Sequence, residues 1–363
     1  MMIMDTWSPN GHQNSLADPP AVGPAPVGEA EHVGPATLAA VMAQAETRLQ
    51  QGDDGRFRPL ATGFTPLDDV LSDGLRPGEL LIVGGPYGVG KTIFGLQVAR
   101  NVVYHHADAA AMYICYEHDR THLMSRLLCL ESVEQGKGDG ALTLRNLAQL
   151  ALTPGNGGLL RTLQRTPRYA PLVTAMQRYA ERLLLVKASG SVSTLRQVSR
   201  WAEALAGLSP QSLLVVDYLQ KIPPEQSGLQ PEAETTTLLA QGLKELAMRT
   251  GLRIIAIAAS DRLGLQAKRM RFADLRGSSA LQYEADIGLV FNNKFAIVSR
   301  EHLVYNVAQS QAMRNWVVMS VEKNRAGRNA VDMEFALDAA HFRFGCKGDY
   351  VHDRLIDEKV TLA

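Results

Sequence analysis

The sequence is poor in cysteine. Its three thiols, Cys115, Cys129 and Cys346, lie far apart with no CxxC pair and no Cys/His cluster, which argues against a zinc centre or a disulfide framework and fits a reducing cytoplasm. Net charge is also missing. The 37 basic residues are balanced by 37 acidic ones, so no global field draws nucleic acid, and any basic surface has to be local. No apolar run approaches the roughly 20 residues that a membrane span needs. The opening MMIMDTWSPNGHQNS has no basic segment followed by an apolar one, so neither a membrane partner nor a secretory leader is expected. What the sequence does have is apolar side chains, 46% of its 363 residues. That is enough for a sizeable core in one large domain or two ordinary ones.

Residues 1–34 are rich in Pro, Ala, Gly and His, a composition that buries too little apolar area to offset its chain entropy and predicts a tail. Residues 35–56 read differently. Leu38, Val41, Met42, Ala45 and Leu49 recur at helical spacing between polar residues, which predicts an amphipathic helix packed on its own domain or docked on a neighbouring subunit. From 57 onward strand-like and helix-like stretches alternate. Strands are expected over 80–85, 110–117, 183–188, 212–219 and 252–260, and helices over 91–106, 118–133, 194–207 and 235–251. Continuous apolar strands between amphipathic helices predict a parallel sheet covered on both faces. The runs at 286–293, 302–309, 316–324 and 331–337 read as strands joined by hairpins, an antiparallel extension of that sheet. The remainder, 346–363, reads as a C-terminal tail.

The stretch GPYGVGKT, Gly85 to Thr92, satisfies G-x-x-x-x-G-K-T between an apolar strand and a helix, the context in which that pattern cradles phosphate. Glycines let backbone N–H groups approach phosphate oxygens closely, and the helix N-terminus adds partial positive charge. The expected nucleotide-binding segment is therefore Gly85, Pro86, Tyr87, Gly88, Val89, Gly90, Lys91, Thr92 and Ile93. Lys91 is expected to reach the β and γ phosphates of ATP, and the Thr92 hydroxyl to ligate Mg²⁺. Asp217, closing the apolar run SLLVVD, is expected to hold the same Mg²⁺ from a strand neighbouring the loop. Glu117, at the end of AAMYICYE, is either the group that orients and deprotonates water or an ordinary strand-end carboxylate. The segment SDRLGLQAKRMRFADLR is a local basic patch with Arg262, Lys268, Arg269, Arg271 and Arg276. It has few aromatics, so it is either a backbone-contacting surface for single strands or a solvated charged loop.

In order, TGFTPLDDVLSDGLRPGELLIVGGPYGVGKT, YICYEHDRTHLMSRLL, LLVVDYLQKI, DLRGSSALQYEADIGLVF and VEKNRAGR resemble the ATPase domain of DnaB-type replicative helicases, within the RecA-like superfamily. The resemblance covers about residues 57–345 and implies a RecA-like P-loop NTPase fold, α/β with a mostly parallel twisted sheet. KaiC-type and RadA-type ATPases share the opening motif but fit the DYLQ and DLR segments less well. The resemblance further implies that Glu117 is the catalytic glutamate. Lys323 and Arg325 would act in trans on a neighbour's γ-phosphate, and Arg276, Gly277 and Ser279, with Arg269 and Arg271 nearby, would approach single-stranded DNA. The helix within 35–56 would dock on an adjacent copy in a hexameric ring or helical assembly, and a loader or other replication or recombination protein would be a further partner.

Three features depart from that pattern. The segment before residue 35 is too short for a helical collar domain. Ala258 and Ala259 occupy the positions where the family usually has Ser-Gln, and an alanine side chain hydrogen-bonds nothing, so coupling is weakened or rerouted through Ser260. Gly277 and Gln282 replace acidic residues, which predicts a looser and less acidic loop. A RecA/KaiC-like regulatory or scaffold ATPase that moves no DNA is the alternative reading; a strand-exchange recombinase lacks a pairing-loop signature.

Overall fold

The computed structural model describes residues 34–52, 54–55, 57–136, 138–153, 157–225, 232–261, 264–298 and 313–356. The predicted N-terminal tail, the predicted strand over 302–309, Arg262 and residues 226–231 of the loop after DYLQ lie outside these, as does the chain beyond 356. The chain divides into two units, residues 1–36 and 37–363, and the architecture below is that of the second.

Among the described residues ten strands form one sheet: β1 (Leu80–Gly84), β2 (Ala109–Cys115), β3 (Leu183–Lys187), β4 (Gln211–Asp217), β5 (Arg253–Ile257), β6 (Ile287–Asn293), β7 (Trp316–Asn324), β8 (Val331–Asp338), β9 (Arg343–Phe344) and β10 (Asp349–Tyr350). The helices are α1 (Leu38–Gln50), α2 (Leu67–Val70), α3 (Lys91–His105), α4 (Arg120–Glu134), α5 (Leu144–Leu152), α6 (Leu159–Arg165), α7 (Ala170–Gln177), α8 (Leu195–Ala206), α9 (Glu232–Thr250), α10 (Ser278–Glu284) and α11 (Lys294–Ile297). Strand order is β10-β8-β7-β6-β1-β5-β4-β2-β3, with β9 on β8. The six strands from β6 to β3 are parallel, and β7, β8 and β10 run antiparallel.

Strands β1, β2, β4 and β5 are buried at every residue, the signature of a sheet covered on both sides. Successive side chains alternate between two cores. Leu81, Val83, Tyr113, Val215 and Ile255 pack with α3 residues Phe94, Val98 and Val102. Leu80, Ile82, Met112, Leu214 and Ile254 pack with Val198 and Leu205 of α8 and Leu243 and Leu246 of α9. A third, smaller cluster around Leu128, Leu147, Leu163 and Leu172 joins α4 to α5–α7. The sequence pattern does not announce these last three helices; each is nine residues or shorter and the stretch is broken by prolines and glycines. Among the described residues no helix is long and apolar enough to cross a membrane.

Several expectations change. The run at 286–293 does not begin an antiparallel extension: β6 pairs parallel with β1, and the reversal comes between β6 and β7. The strand carrying Asp217 does not adjoin β1, because β5 lies between them. Residues 346–356 are not all tail. Thr65 N–H donates to the Cys346 carbonyl at 2.9 Å, β10 pairs with β8, and Val298 bridges to Leu355. The helix predicted within 35–56 is α1, N-capped by the Thr37 hydroxyl on Ala40 N–H. It buries none of its residues; Leu38 is 75% and Met42 63% exposed.

Gly277 proves to be a contact point. It caps the N-terminus of α10 at φ +77°, and a Cβ there would lie 2.3 Å from Thr236 Cγ2 of α9, so the left-handed backbone and the close approach both demand glycine. The segment is pinned to α9 at this point, contrary to the looser loop that the composition predicts. Gly136 has a similar φ of +67° with nothing within 4 Å of its would-be Cβ. Each substitution to alanine carries a left-handed backbone cost of about 1–2 kcal/mol. Gly277→Ala is expected to lose distinctly more in urea unfolding than Gly136→Ala. Equal losses would contradict the packing against Thr236.

Candidate functional site

β1 ends at Gly84, and the chain turns through Gly85–Gly90 into α3. Gly90 is the N-cap, at φ +88°, and a Cβ there would meet the Phe344 ring at 2.7 Å. Phe344 of β9 is thus the floor of the loop, a role that nothing in its sequence context signals. The first turn of α3 holds no acidic residue and the N-cap makes no side-chain hydrogen bond, which leaves the N–H groups of a helix start to an anion. Tyr87 and Gly88 are exposed at the tip, whereas Gly85 and Val89 are buried.

Lys91 folds back over the turn, its Nζ donating to the carbonyls of Gly85 at 2.7 Å and Pro86 at 2.8 Å. Burial pulls its pKa down to about 8, against the opposing pull of Asp217 and Glu117. Asp217 closes β4 and is 1% exposed. It accepts hydrogen bonds from the Tyr113 hydroxyl at 2.7 Å and from the Thr92 side chain, and burial pushes its carboxyl up. Cys115 is in register with Asp217, so Glu117, two residues further and exposed, stands at the same carboxyl edge of the sheet. The expected phosphate loop, Asp217 and Glu117 are therefore brought together by strands whose C-termini share one edge.

The end of β5 completes this edge. Ser260 Oγ donates to the Gly85 carbonyl at 2.9 Å, so the one hydroxyl left in the Ala-Ala-Ser run does contact the phosphate loop. Ala258 is wholly buried. The Ala259 amide donates to Gln220 Oε1 at 2.9 Å, and Gln220 Nε2 donates to the Arg276 carbonyl at 3.1 Å. In the sequence Gln220 is only a letter of DYLQ; its position three residues after Asp217 is the available signal.

Lys323 and Arg325 lie elsewhere. Asn324 of β7 is in register with Ile287, the first residue of β6, and Ile287 with Leu81 near the start of β1. The basic pair therefore sits at the opposite end of the sheet from its own phosphate loop, separated by the length of β1, about 15 Å. Lys323 Nζ donates to the carbonyls of Gln282 and Tyr283, and burial followed by repulsion from Arg325 lowers its pKa. Arg325 donates to the Tyr283 carbonyl and pairs with Asp286 at 3.2 Å. Asp286, 7% exposed, also accepts Lys244 Nζ at 2.7 Å and the Leu80 amide at 2.8 Å. It is the anchor that fixes the direction of Arg325, although the sequence shows it only as part of a motif.

The expected basic surface is smaller than its composition promised. Arg276 and Ser279 are exposed beside Gly277, and Lys268 is exposed. Arg269 does not belong to it: its side chain is 6% exposed and bonded to Asp332 at 2.6 Å and Ser320 at 3.2 Å. Arg271 is paired with Glu322 at 3.2 Å and is also turned inward. Both arginines are spent on the half-buried carboxylates of β7 and β8, Glu322 and Asp332.

Residues 59–344 match the family described as DnaB-like helicase C terminal domain. The chain is 29% identical over 238 residues to the replicative DNA helicase DnaB of Geobacillus stearothermophilus, covering 64% of this chain and 47% of that protein. It is 27% identical over 304 residues to DnaB of Treponema pallidum, covering 83% and 59%. A DNA repair protein RadA from Synechocystis sp. is 28% identical over 181 residues, 48% of this chain and 35% of that one. The chain thus spans about half the length of the curated helicases it matches. Among solved structures, one ATPase domain superposes with a TM-score of 0.66 at 17% identity, covering 86% of this chain and 99% of that one. A DnaB-like replicative helicase studied for its interactions with primase gives 0.62 at 17%, covering 86% and 67%. These superpositions agree with the RecA-like sheet described above, and the match across residues 59–344 identifies the chain as a member of the DnaB-like helicase C-terminal domain family.

Proposed function

We propose that this chain is an oligomeric ATPase that binds ATP with Mg²⁺ at Gly85–Ile93, hydrolyses it between adjoining copies and translocates on single-stranded DNA. The observation that carries this reading is the position of Lys323 and Arg325 at the far end of the sheet from their own phosphate loop. They can meet a γ-phosphate only on another copy, where a cation stabilises charge developing as the phosphoryl group is transferred. The exposed apolar stripe of α1 supports docking on such a neighbour, in a ring of hexameric type or a helical assembly.

The ligand set fits the expected ion. Thr92 and Asp217 offer hard oxygen donors side by side, and Mg²⁺ is usually held by one or two such protein groups with phosphate oxygens and water completing its shell. Bound there, it would neutralise phosphate charge. Glu117, exposed at the same edge, is suited to orient and deprotonate the attacking water. Lys91 would exchange its loop carbonyls for phosphate oxygens. Arg276 and Ser279, with the Gly277 backbone, would contact phosphates of a single strand without reading bases. A cytoplasmic setting and a loading partner belong to the same reading.

Lys91 gives the cradle a pH signature. Its pKa of about 8 in the free protein lies below the unfolded value near 10.5, so between those values the unfolded chain holds more protons and this group raises stability as pH rises. Nucleotide affinity moves the other way. The ammonium is half lost at about pH 8, and increasingly above it each phosphate-binding event must take up a proton. Measured by titration from pH 7 to 9.5, affinity is expected to be level up to about 8 and then to weaken by up to about tenfold per pH unit. Lys91→Ala is expected to bind weakly with no such break; an unchanged affinity in that variant contradicts the cradle.

Sharing of the site is tested by mixing. Glu117→Gln and Arg325→Ala are each expected to be inactive alone. Together they should regain ATP turnover, because a Glu117 from one copy then meets an Arg325 from the other. Absence of rescue contradicts a site built from two copies. Hydrolysis that single-stranded DNA neither binds nor stimulates would favour the regulatory ATPase over the translocating one.

A further inference from the structure

The side chain of Gln220 stands between the two regions that the proposed function must connect. Gln220 belongs to the short 3₁₀ turn Leu219–Lys221 that follows Asp217. Its amide accepts from Ala259 N–H at 2.9 Å and donates to the Arg276 carbonyl at 3.1 Å. One partner is an N–H and the other a C=O, so the orientation of the amide is fixed. The two partners are themselves bonded, Arg276 N–H donating to the Ala259 carbonyl at 3.0 Å, and Ser260 bridges to Leu275 beside them. Ser260 in turn holds the Gly85 carbonyl at 2.9 Å, the same oxygen that accepts Lys91 Nζ at 2.7 Å.

A path of hydrogen bonds, linked through the backbone from Ser260 to Ala259, thus runs from the 85–90 loop through the end of β5 to the start of the 276–279 segment, with Gln220 closing it three residues from Asp217. We propose that Gln220 is a positioning residue that makes the 276–279 segment respond to the state of the nucleotide site. Ala259 has only a methyl group to offer, but its backbone amide is gripped by a side chain from the neighbouring strand end. When Lys91 leaves the Gly85 carbonyl for a phosphate, Ser260 becomes the remaining side-chain donor to that oxygen among those described. Any shift of the loop is then felt at Ala259, and the Gln220 amide carries it to Arg276 alongside the direct bond from Arg276 N–H to the Ala259 carbonyl. A segment pinned at Gly277 against Thr236 has little freedom to absorb such a shift by bending.

This inference rests on nucleotide binding at Gly85–Ile93, so the test reads that site and the 276–279 segment separately. Amide hydrogen exchange is followed in the full chain, with and without a non-hydrolysable ATP analogue and Mg²⁺, in peptides covering 84–94 and 274–283. The wild type is expected to show slowed exchange in the first peptide and altered exchange in the second. Gln220→Leu, similar in volume but without either hydrogen bond, should keep the first response and lose the second. Gln220→Glu retains the acceptor for Ala259 and loses the donor to Arg276, and is expected to lose the second response as well. If either variant keeps both responses at wild-type size, the inference is overturned. A wild-type response confined to the first peptide also overturns it while leaving nucleotide binding intact. No response at 84–94 in the wild type overturns the nucleotide reading, and this inference with it.

Discussion

The direction of the strands governs everything else in this molecule. Six parallel strands bring their carboxyl ends to one edge, which gathers the phosphate loop, Asp217, Glu117 and Ser260 from four separate parts of the chain. Only after β6 does the chain turn back, and that reversal carries Lys323 and Arg325 to the opposite edge. Charges that the proposed reaction needs at one phosphate group are therefore set at two ends of a rigid layer whose core is buried on both faces. A packed sheet of this kind does not bend far enough to bring them together, which is why the proposed function assigns completion of the site to a second copy.

The same constraint explains how charge is distributed. The chain is neutral overall and spends many cations internally. Arg269 and Arg271 neutralise Asp332 and Glu322, and Lys244 and Arg325 share Asp286. Of these carboxylates Asp286 is the buried one, and leaving it without such partners would cost several kcal/mol. Among the described residues, the surface proposed for nucleic acid is a small exposed strip at Lys268, Arg276 and Ser279. Its position is set by Gly277 on Thr236 and by Gln220 on Arg276, so the geometry of the backbone matters there more than net charge.

Much of this is legible in the sequence because it rests on local rules. Apolar runs between amphipathic helices announce the covered sheet, and the glycines around Lys91 announce a strand-to-helix turn. What stays hidden depends on pairing between distant segments. Sequence spacing does not reveal that β5 inserts between β1 and β4, that β6 joins β1 in parallel, or that β10 continues the sheet beyond residue 346. The arginines of the basic patch look alike in sequence, yet Arg269 is turned inward because Asp332 waits for it on β8, whereas Arg276 is exposed. Short helices α5–α7 carry too few turns to separate from their glycine- and proline-rich surroundings. Gln220 and Asp286 are visible as motif letters only, since their roles arise from backbone groups that folding brings to them.

Turnover per subunit measured against protein concentration, with particle mass determined at each concentration, probes the proposed shared site most directly. The expected result is that ATP hydrolysis and the assembled mass fall together on dilution, because an isolated copy keeps Lys323 and Arg325 at the edge away from its own phosphate loop. A monomer that hydrolyses ATP at an undiminished rate at every dilution would contradict it.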